Sequence, residues 1–288
     1  MDYRPTRYQV AKVYSKRVLR WKRNSSPYVS GDAFADLADV VFNPPHYRGK
    51  APSLKELKEA SVIFVRSHDL HSFLETYSGM LSAKVIIAGN SDFEFRKHDL
   101  NIPKSTRLLL MQNSFLSGDS RIRTLPIGIE NFRFGVNGHP KLFTPETKKP
   151  LHKVLIGPYS KTHIIRNAVI SEFECTAGPW TVVNDRKTPK ELALISNRHL
   201  FIAAVRGNGV DTHRLWETLY RGRYPICIGD SWLTTLRELN LPILEANAWE
   251  PDLIANLVTS HTAQGFNSAK LEALWMPYWE KLIANQLF

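Results

Sequence analysis

The residue types that could do chemistry concentrate in residues 206–217, which read Arg-Gly-Asn-Gly-Val-Asp-Thr-His-Arg-Leu-Trp-Glu. The apolar run before them, residues 200–205, is typical of a buried strand, and the glycines let backbone N–H groups approach a ligand closely. Asp211 is a suitable N-cap for a helix that would end near Gly222. Because arginine side chains and helix N-termini both favour oxyanions, the stretch predicts a phosphate site.

The helix that follows the turn has two unlike faces. At about 100° per residue, its apolar residues share one arc and its charged residues share the other. The apolar arc is expected to pack on a sheet, so a ligand would meet the polar arc. An ordinary amphipathic crossover helix with solvated charges would show the same pattern, and the spacing alone leaves both interpretations open.

This stretch resembles the C-terminal signature of exostosin-like bacterial glycosyltransferases, which build capsule, O-antigen or lipopolysaccharide chains. Shorter matches precede it in the same order: Ser-His-Asp-Leu at 67–70, Gly-Asn-Ser-Asp at 89–92, Gln-Asn at 112–113 and Leu-Pro-Ile-Gly-Ile-Glu-Asn at 125–131. The resemblance implies an α/β protein of the GT-B fold. In that fold two Rossmann-like domains with parallel sheets face a cleft, and the C-terminal domain holds most of the nucleotide-sugar donor.

Transfer of a sugar from such a donor requires stabilisation of the departing phosphate, which cationic side chains and helix N–H groups can provide. Lys161 and Arg166 are possible additional phosphate ligands. Glu217 could bind ribose or sugar hydroxyls, or could instead pair with His213 or Arg221 along the helix. The donor-binding candidates are Arg206, Asn208, Gly209, Asp211, Thr212, His213, Arg214 and Glu217, with Asp211 better suited to capping than to substrate contact.

The catalytic base is expected in the opposing domain, within hydrogen-bond reach of the acceptor hydroxyl. Asp92, Asp69 and Glu130 all follow predicted strands, at the edge where parallel sheets bind ligands. We favour Asp92, because Gly-Asn-Ser before it forms an open turn, although an aspartate there could also be a plain turn residue. A reaction that retains stereochemistry would need no protein base.

Strands alternate with helices from residue 53 onward, which predicts parallel sheets. The polar, turn-rich residues 137–150 predict an interdomain linker. We therefore expect an acceptor-side domain at 1–145, a donor-binding domain at 146–270 and a C-terminal helix at 271–288 that crosses back to the first domain, as the resemblance implies. The predicted strands are 61–66, 84–88, 107–111 and 125–131 in the first domain and 153–157, 181–183, 200–205, 226–228 and 242–244 in the second.

The net charge of +11 on 288 residues points to an acidic partner: nucleic acid, an anionic membrane or a phosphate-bearing substrate. The chain has neither zinc-finger spacing nor an RNP-type aromatic motif, so nucleic acid is not the expected partner. The basic and apolar residues 1–30 could form an amphipathic helix on anionic lipid, which would suit a lipid-linked saccharide acceptor. They could equally dock on the first domain.

The resemblance and the absence of an Asp-x-Asp motif lead us to expect no metal and no cofactor, the nucleotide-sugar being a substrate. Cys175 and Cys227 are expected to be free thiols. Since no apolar run approaches ~20 residues and the start does not resemble a signal peptide, we expect a cytoplasmic protein, peripheral on the inner face of the plasma membrane if residues 1–30 bind lipid. The alternative function is a non-catalytic nucleotide- or nucleic-acid-binding protein that uses its basic surface.

Overall fold

The computed structural model describes residues 25–42, 51–97, 99–144, 149–262 and 265–288. Within these ranges the chain forms two five-stranded sheets, all of whose strand pairs are parallel, and nine α-helices. The predicted α/β class with two parallel sheets is confirmed. Most of the predicted lipid-binding segment (1–24) and the middle of the predicted linker (145–148) lie outside the described residues.

The strands of the first sheet lie side by side in chain order. They are β1 (Val40–Val41), β2 (Val62–Arg66), β3 (Val85–Gly89), β4 (Leu108–Met111) and β5 (Ile122–Thr124). The helices of this part are α1 (Gly31–Ala35), α2 (Leu54–Glu59) and α3 (Leu70–Tyr77). Because crossovers between parallel strands are right-handed, a sheet wound in one direction carries its crossover helices on one face only. Apolar residues of α2 and α3 cover that face.

The opposite face of the first sheet needs another cover, and the far end of the chain provides it. The side chains of Phe64, Ile87 and Leu110 lie on this face and pack against α1 and against a C-terminal helix, α9 (Met276–Ala284). Trp279 of α9 is 1% exposed, and its indole N–H donates to the Ala273 carbonyl at 2.9 Å. A large apolar side chain buried in this way contributes about 1.5–3 kcal/mol.

The second sheet has the spatial order β10-β9-β8-β6-β7. Its strands are β6 (Leu151–Ile156), β7 (Trp180–Val182), β8 (His199–Ala203), β9 (Tyr224–Ile228) and β10 (Leu244–Ala246). The accompanying helices are α4 (Ile164–Glu174), α5 (Pro189–Asn197), α6 (His213–Tyr220), α7 (Ser231–Thr235) and α8 (Pro251–Ser260). The chain therefore winds from β6 to β7 in one direction and from β8 to β10 in the other, so the order reverses between β6 and β8.

Two sequence-based expectations about local structure are wrong. The run 125–131 is not a strand, because β5 ends at Thr124. Asp211 is not the N-cap of α6, since Thr212 occupies that position without a side-chain capping bond. The expected end of α6 is confirmed: Gly222 has φ +67°, a left-handed conformation that glycine adopts without strain. Cys175 and Cys227 are free, as expected, and burial raises the pKa of the Cys227 thiol.

An aromatic cluster joins the two halves of the molecule. The Tyr28 ring lies 4.8 Å from the Tyr220 ring and 5.2 Å from the Trp275 ring, centroid to centroid. The buried Tyr220 hydroxyl accepts from the Val29 N–H at 2.9 Å and donates to the Leu274 carbonyl. Among the described residues, no helix is both long and apolar enough to cross a membrane.

Candidate functional site

The carboxyl ends of the two sheets meet through direct hydrogen bonds. The Asn208 amide donates to an Asp92 oxygen at 3.2 Å, and the Arg206 guanidinium pairs with Glu94 at 2.5 Å. A more buried contact lies beside them, in which the Asp211 N–H donates to the Asn113 side-chain oxygen at 2.9 Å. The structure thus brings the motif of residues 206–217 against the strand ends that the sequence placed on one rim.

The crevice between the ends of β6 and β8 is the point at which the strand order of the second sheet reverses. Loops that leave adjacent strands in opposite directions separate there, and open α/β sheets bind ligands in the resulting space. The loop after β6 begins at Gly157, and the loop after β8 contains Arg206 and leads into α6. Two half-buried arginines, Arg166 of α4 and Arg214 of α6, reach into this region.

Arg166 and Arg214 are held in place by neutral oxygen atoms. Arg166 donates to the Arg206 carbonyl at 2.9 Å and to the Val205 carbonyl at 3.1 Å. Arg214 donates to the carbonyls of Gly157 and Pro158 at 3.1 and 3.0 Å. Within the part of the chain that the structure describes, neither guanidinium has a carboxylate partner in an ion pair. Such a pair of fixed cations leaves positive charge available to an anionic ligand.

The Tyr159 ring lies close to both arginines. Its centroid lies 5.5 Å from the Arg166 guanidinium carbon and 5.8 Å from that of Arg214. Burial raises the pKa of Tyr159 to about 12, and the neutral hydroxyl donates to the Ala203 carbonyl at 3.0 Å. Burial is also the main cause of the lowered pKa of Arg166; the charge of Arg214 acts in the same direction, whereas Tyr159 and Asp92 oppose it. Arg166 therefore keeps its charge at some cost of burial, which a bound anion would relieve.

The C-terminal candidates divide into a group that ties the halves together and a group that borders the crevice. In the first group, Asp211 is 3% exposed, and its two oxygens accept from the Ile127 N–H and the Trp216 indole N–H, both at 2.8 Å. The nearest heavy atom to a β-carbon added at Gly209 would be the Asn113 side-chain nitrogen, 2.7 Å away. An imidazole nitrogen of His213 lies 2.8 Å from the Gly128 carbonyl oxygen.

The remaining C-terminal candidates lie in the loop after β8 or on α6. Arg206 and Asn208 contact Glu94 and Asp92 of the first half, and the hydroxyl of Thr212 is buried with no hydrogen-bond partner in the described ranges. Glu217 follows Arg214 by three residues, so both side chains lie on one side of α6. The Glu217 carboxylate forms no hydrogen bond or ion pair with any residue that the structure describes. Its charge acts on the nearby Arg221 guanidinium, whose pKa it raises against the larger effect of burial, and its oxygens can also accept from a ligand.

The three candidate bases on the N-terminal side have different surroundings. Asp92 is exposed and accepts from Asn208. Glu130 is committed to a neighbouring turn, because its two oxygens accept from the backbone N–H and the side-chain amide of Asn137 at 2.8 and 3.0 Å. One Asp69 oxygen lies 3.2 Å from an imidazole nitrogen of His68, to which the sequence assigned no role.

Sequence reasoning also missed Glu94 and Tyr159. Glu94 lies two residues beyond Asp92, and its carboxylate forms an ion pair with the Arg206 guanidinium, 112 positions away in the chain. Tyr159 follows the Gly-Pro turn after β6, and only the position of that turn at a strand end marked it. Lys161 is exposed, whereas Arg166 belongs to the crevice. Across the described residues, no group of three or more His, Cys, Asp or Glu side chains is arranged to hold a metal ion.

No protein-family model matches the chain, and no curated protein matches it either.

Proposed function

We propose that this protein is a glycosyltransferase of the GT-B fold that moves a sugar from a nucleotide-sugar donor to a growing bacterial surface polysaccharide or lipopolysaccharide. The observation that carries the proposal is the pair of arginines, Arg166 and Arg214, fixed by carbonyl oxygens at the strand-order reversal of the second sheet. A diphosphate is a suitable ligand for two such guanidinium groups beside a helix N-terminus.

In this proposal the second half of the molecule stabilises the leaving group. Negative charge develops on the diphosphate as the bond to the sugar breaks, and Arg166, Arg214 and the first N–H groups of α6 would neutralise it without a metal ion. Arg206 would join them once its Glu94 partner is displaced. The Glu217 carboxylate would accept hydrogen bonds from ribose or sugar hydroxyls.

The acceptor would approach from the first sheet, where polar side chains follow β2, β3 and β4. A lipid-linked saccharide is the acceptor that the resemblance favours, and it would place the enzyme in the cytoplasm, at the inner face of the plasma membrane. The high net charge of +11 suits both a phosphorylated donor and an anionic lipid surface.

A thermal-shift screen against UDP-, GDP-, CMP- and dTDP-sugars tests the donor half of the proposal. A ligand at about 100 times its Kd stabilises the folded state by about 2.7 kcal/mol, so one class of nucleotide should raise the Tm clearly. Arg206→Ala and Glu217→Ala should weaken that shift or slow turnover while the fold survives. Arg107→Ala is the matched control, because Arg107 is exposed beside the C-terminus and precedes β4, at the opposite edge of the sheet.

If no sugar nucleotide raises the Tm and turnover is absent, the proposal fails. Tight binding of single-stranded nucleic acid with a steep salt dependence would then favour the non-catalytic alternative. Donor turnover that is unchanged in both Arg206→Ala and Glu217→Ala would remove these residues from the site.

A further inference from the structure

A contact between three side chains follows the ends of β2 and β3, at the rim of the cleft. The His68 Nδ1 atom lies 3.3 Å from the Ser91 hydroxyl oxygen, and its Nε2 atom lies 3.2 Å from an Asp69 carboxylate oxygen. A single 3-10 turn, Ser67–Asp69, carries the histidine and the aspartate directly after β2. Ser91 follows Asn90, whose φ of +55° turns the chain sharply at the end of β3.

The two contacts give the His68 ring a defined polarity. An ionised carboxylate can only accept, so the nitrogen facing Asp69 carries the proton and donates it. The other nitrogen then presents its lone pair to the Ser91 hydroxyl. The second Asp69 oxygen is buried and has no hydrogen-bond partner in the described part of the chain. Within that part, the imidazole is the only group that the Asp69 carboxylate binds, so the carboxylate serves to orient the ring.

His68 is better prepared to take a proton from a hydroxyl than the carboxylates of this rim. Both Glu130 oxygens accept from Asn137, and one oxygen of the exposed Asp92 accepts from Asn208, whereas a third residue orients the His68 ring. The His68 side chain is 40% exposed, so an incoming hydroxyl can reach it. Ser91 links His68 to the second half of the molecule. The Ser91 carbonyl accepts from the Asn113 side-chain amide, and the Asn113 side-chain oxygen accepts from the Asp211 N–H.

Resting on the proposed function, we propose that His68 is the general base of the transfer and that Asp69 is its positioning residue. The acceptor hydroxyl takes the place beside Nδ1 that the Ser91 hydroxyl now occupies. As the acceptor oxygen bonds to the anomeric carbon, its proton passes to Nδ1. The bond from that carbon to the phosphate oxygen breaks, and its electron pair leaves with the nucleotide. A direct displacement of this kind inverts the anomeric configuration.

The test uses the sugar nucleotide that most raises the Tm of the full-length protein, with water as the acceptor and nucleotide release as the readout. A positioned base contributes about 10²- to 10⁴-fold to rate, so His68→Gln should lose that factor while the donor-induced shift in Tm stays unchanged. His71→Gln is the matched control: the His71 imidazole lies 3.2 Å from the Glu75 carboxylate on the solvent-facing side of α3, and this variant should turn over at the wild-type rate.

Two further readouts separate a chemical role from a structural one. Added imidazole should restore the rate of His68→Gly by about tenfold or more, and should have no effect on His71→Gly. Asp69→Asn should lower kcat by about tenfold or more at an unchanged KM for the donor, and Asp69→Glu should recover part of that loss.

The results that overturn the inference differ from those that overturn the proposed function. Wild-type turnover by His68→Gln, failure of imidazole rescue, or a product of retained configuration would remove His68 as the base and leave the donor site intact. If no sugar nucleotide is bound or cleaved by the wild-type protein, the proposed function fails, and the role of His68 fails with it.

Discussion

The Asp211 carboxylate should make the stability of this protein depend on pH in a direction opposite to that of most acidic residues. Burial raises the pKa of Asp211 to about 7, although hydrogen bonds from the Ile127 N–H and the Trp216 indole lower it in part. The folded protein therefore binds a proton at Asp211 over a pH range in which the unfolded chain has released it. The contribution of Asp211 to the free energy of unfolding is complete below about pH 4 and is lost as pH rises to about 7.

The size of this effect follows from the interval between the two pKa values. The interval between the ordinary value of 3.8 and the folded value of about 7 corresponds to roughly three pH units. Each unit is worth about 1.4 kcal/mol, so the free energy of unfolding should fall by about 4 kcal/mol across the range. Asn cannot ionise, so Asp211→Asn should lack this dependence. Asn also offers only one acceptor oxygen for two donors, which changes the stability of the variant by an amount independent of pH.

Urea unfolding at half-unit steps from pH 5 to pH 8 measures the effect directly. The wild type should lose about 1.4 kcal/mol per pH unit relative to Asp211→Asn up to about pH 6.5, and the difference should level off above about pH 7. Asp252→Asn is the control, because Asp252 is exposed in the first turn of α8 and should leave the wild-type slope unchanged. A difference between wild type and Asp211→Asn that is constant with pH, or that grows in favour of the wild type, would refute the reasoning.

Two more substitutions, Glu94→Gln and Gly128→Ala, each test one close contact. Glu94→Gln removes the carboxylate that pairs with Arg206, so inorganic pyrophosphate should bind about fivefold more tightly by calorimetry, a gain of about 1 kcal/mol. Equal or weaker binding would mean that Glu94 does not compete with anions there. Gly128→Ala should cost more than about 2 kcal/mol in urea unfolding, because φ is +65° and the new β-carbon would lie 2.0 Å from the Val29 carbonyl oxygen. Gly118→Ala, at φ +95° in open space, should show only the backbone penalty of about 1–2 kcal/mol, and equal losses in both variants would rule out the clash.

Local signals predicted most of the secondary structure correctly. The helices that begin at Leu54 and Pro189 each start with a capping box, in which the Glu56 and Glu191 side chains are bonded back to the cap residues Ser53 and Thr188. Such motifs bring together residues three positions apart, so their physics is contained in a short sequence window. The alternation of strands and helices likewise predicted two parallel sheets, because each crossover is a local unit.

The run 125–131 shows where local reasoning fails. Its apolar residues predicted a strand, and two of them are buried as those of a strand would be: Leu125 in the core of the first sheet, and Ile129 against apolar residues of the second half. The Ile127 N–H donates to the Asp211 carboxylate, 84 residues away. An imidazole nitrogen of His213 lies 2.8 Å from the Gly128 carbonyl oxygen. Nothing within a short window separates an apolar segment that enters a sheet from one that lies against another part of the chain.

The candidate site was predictable to a similar extent. The motif of residues 206–217 lies beside the strand ends of the first sheet, but the separate contacts of its residues depend on distant partners. Asp211 appeared to be a cap because its contacts with Ile127 and Asn113 cannot be read from the sequence. His68 had no assigned role, since its chemistry depends on Ser91, 23 residues away on the next strand's turn.

The order of the strands in the first sheet bears on how the protein is made. A ribosome releases β1 to β5 long before Met276, yet the apolar face formed by Phe64, Ile87 and Leu110 is covered partly by α9. The first half of the chain therefore cannot complete its core during synthesis, and its apolar sheet face stays exposed until α9 leaves the ribosome. We expect this nascent chain to depend on chaperones more than one whose domains close in sequence, and the finished molecule to unfold in one cooperative transition.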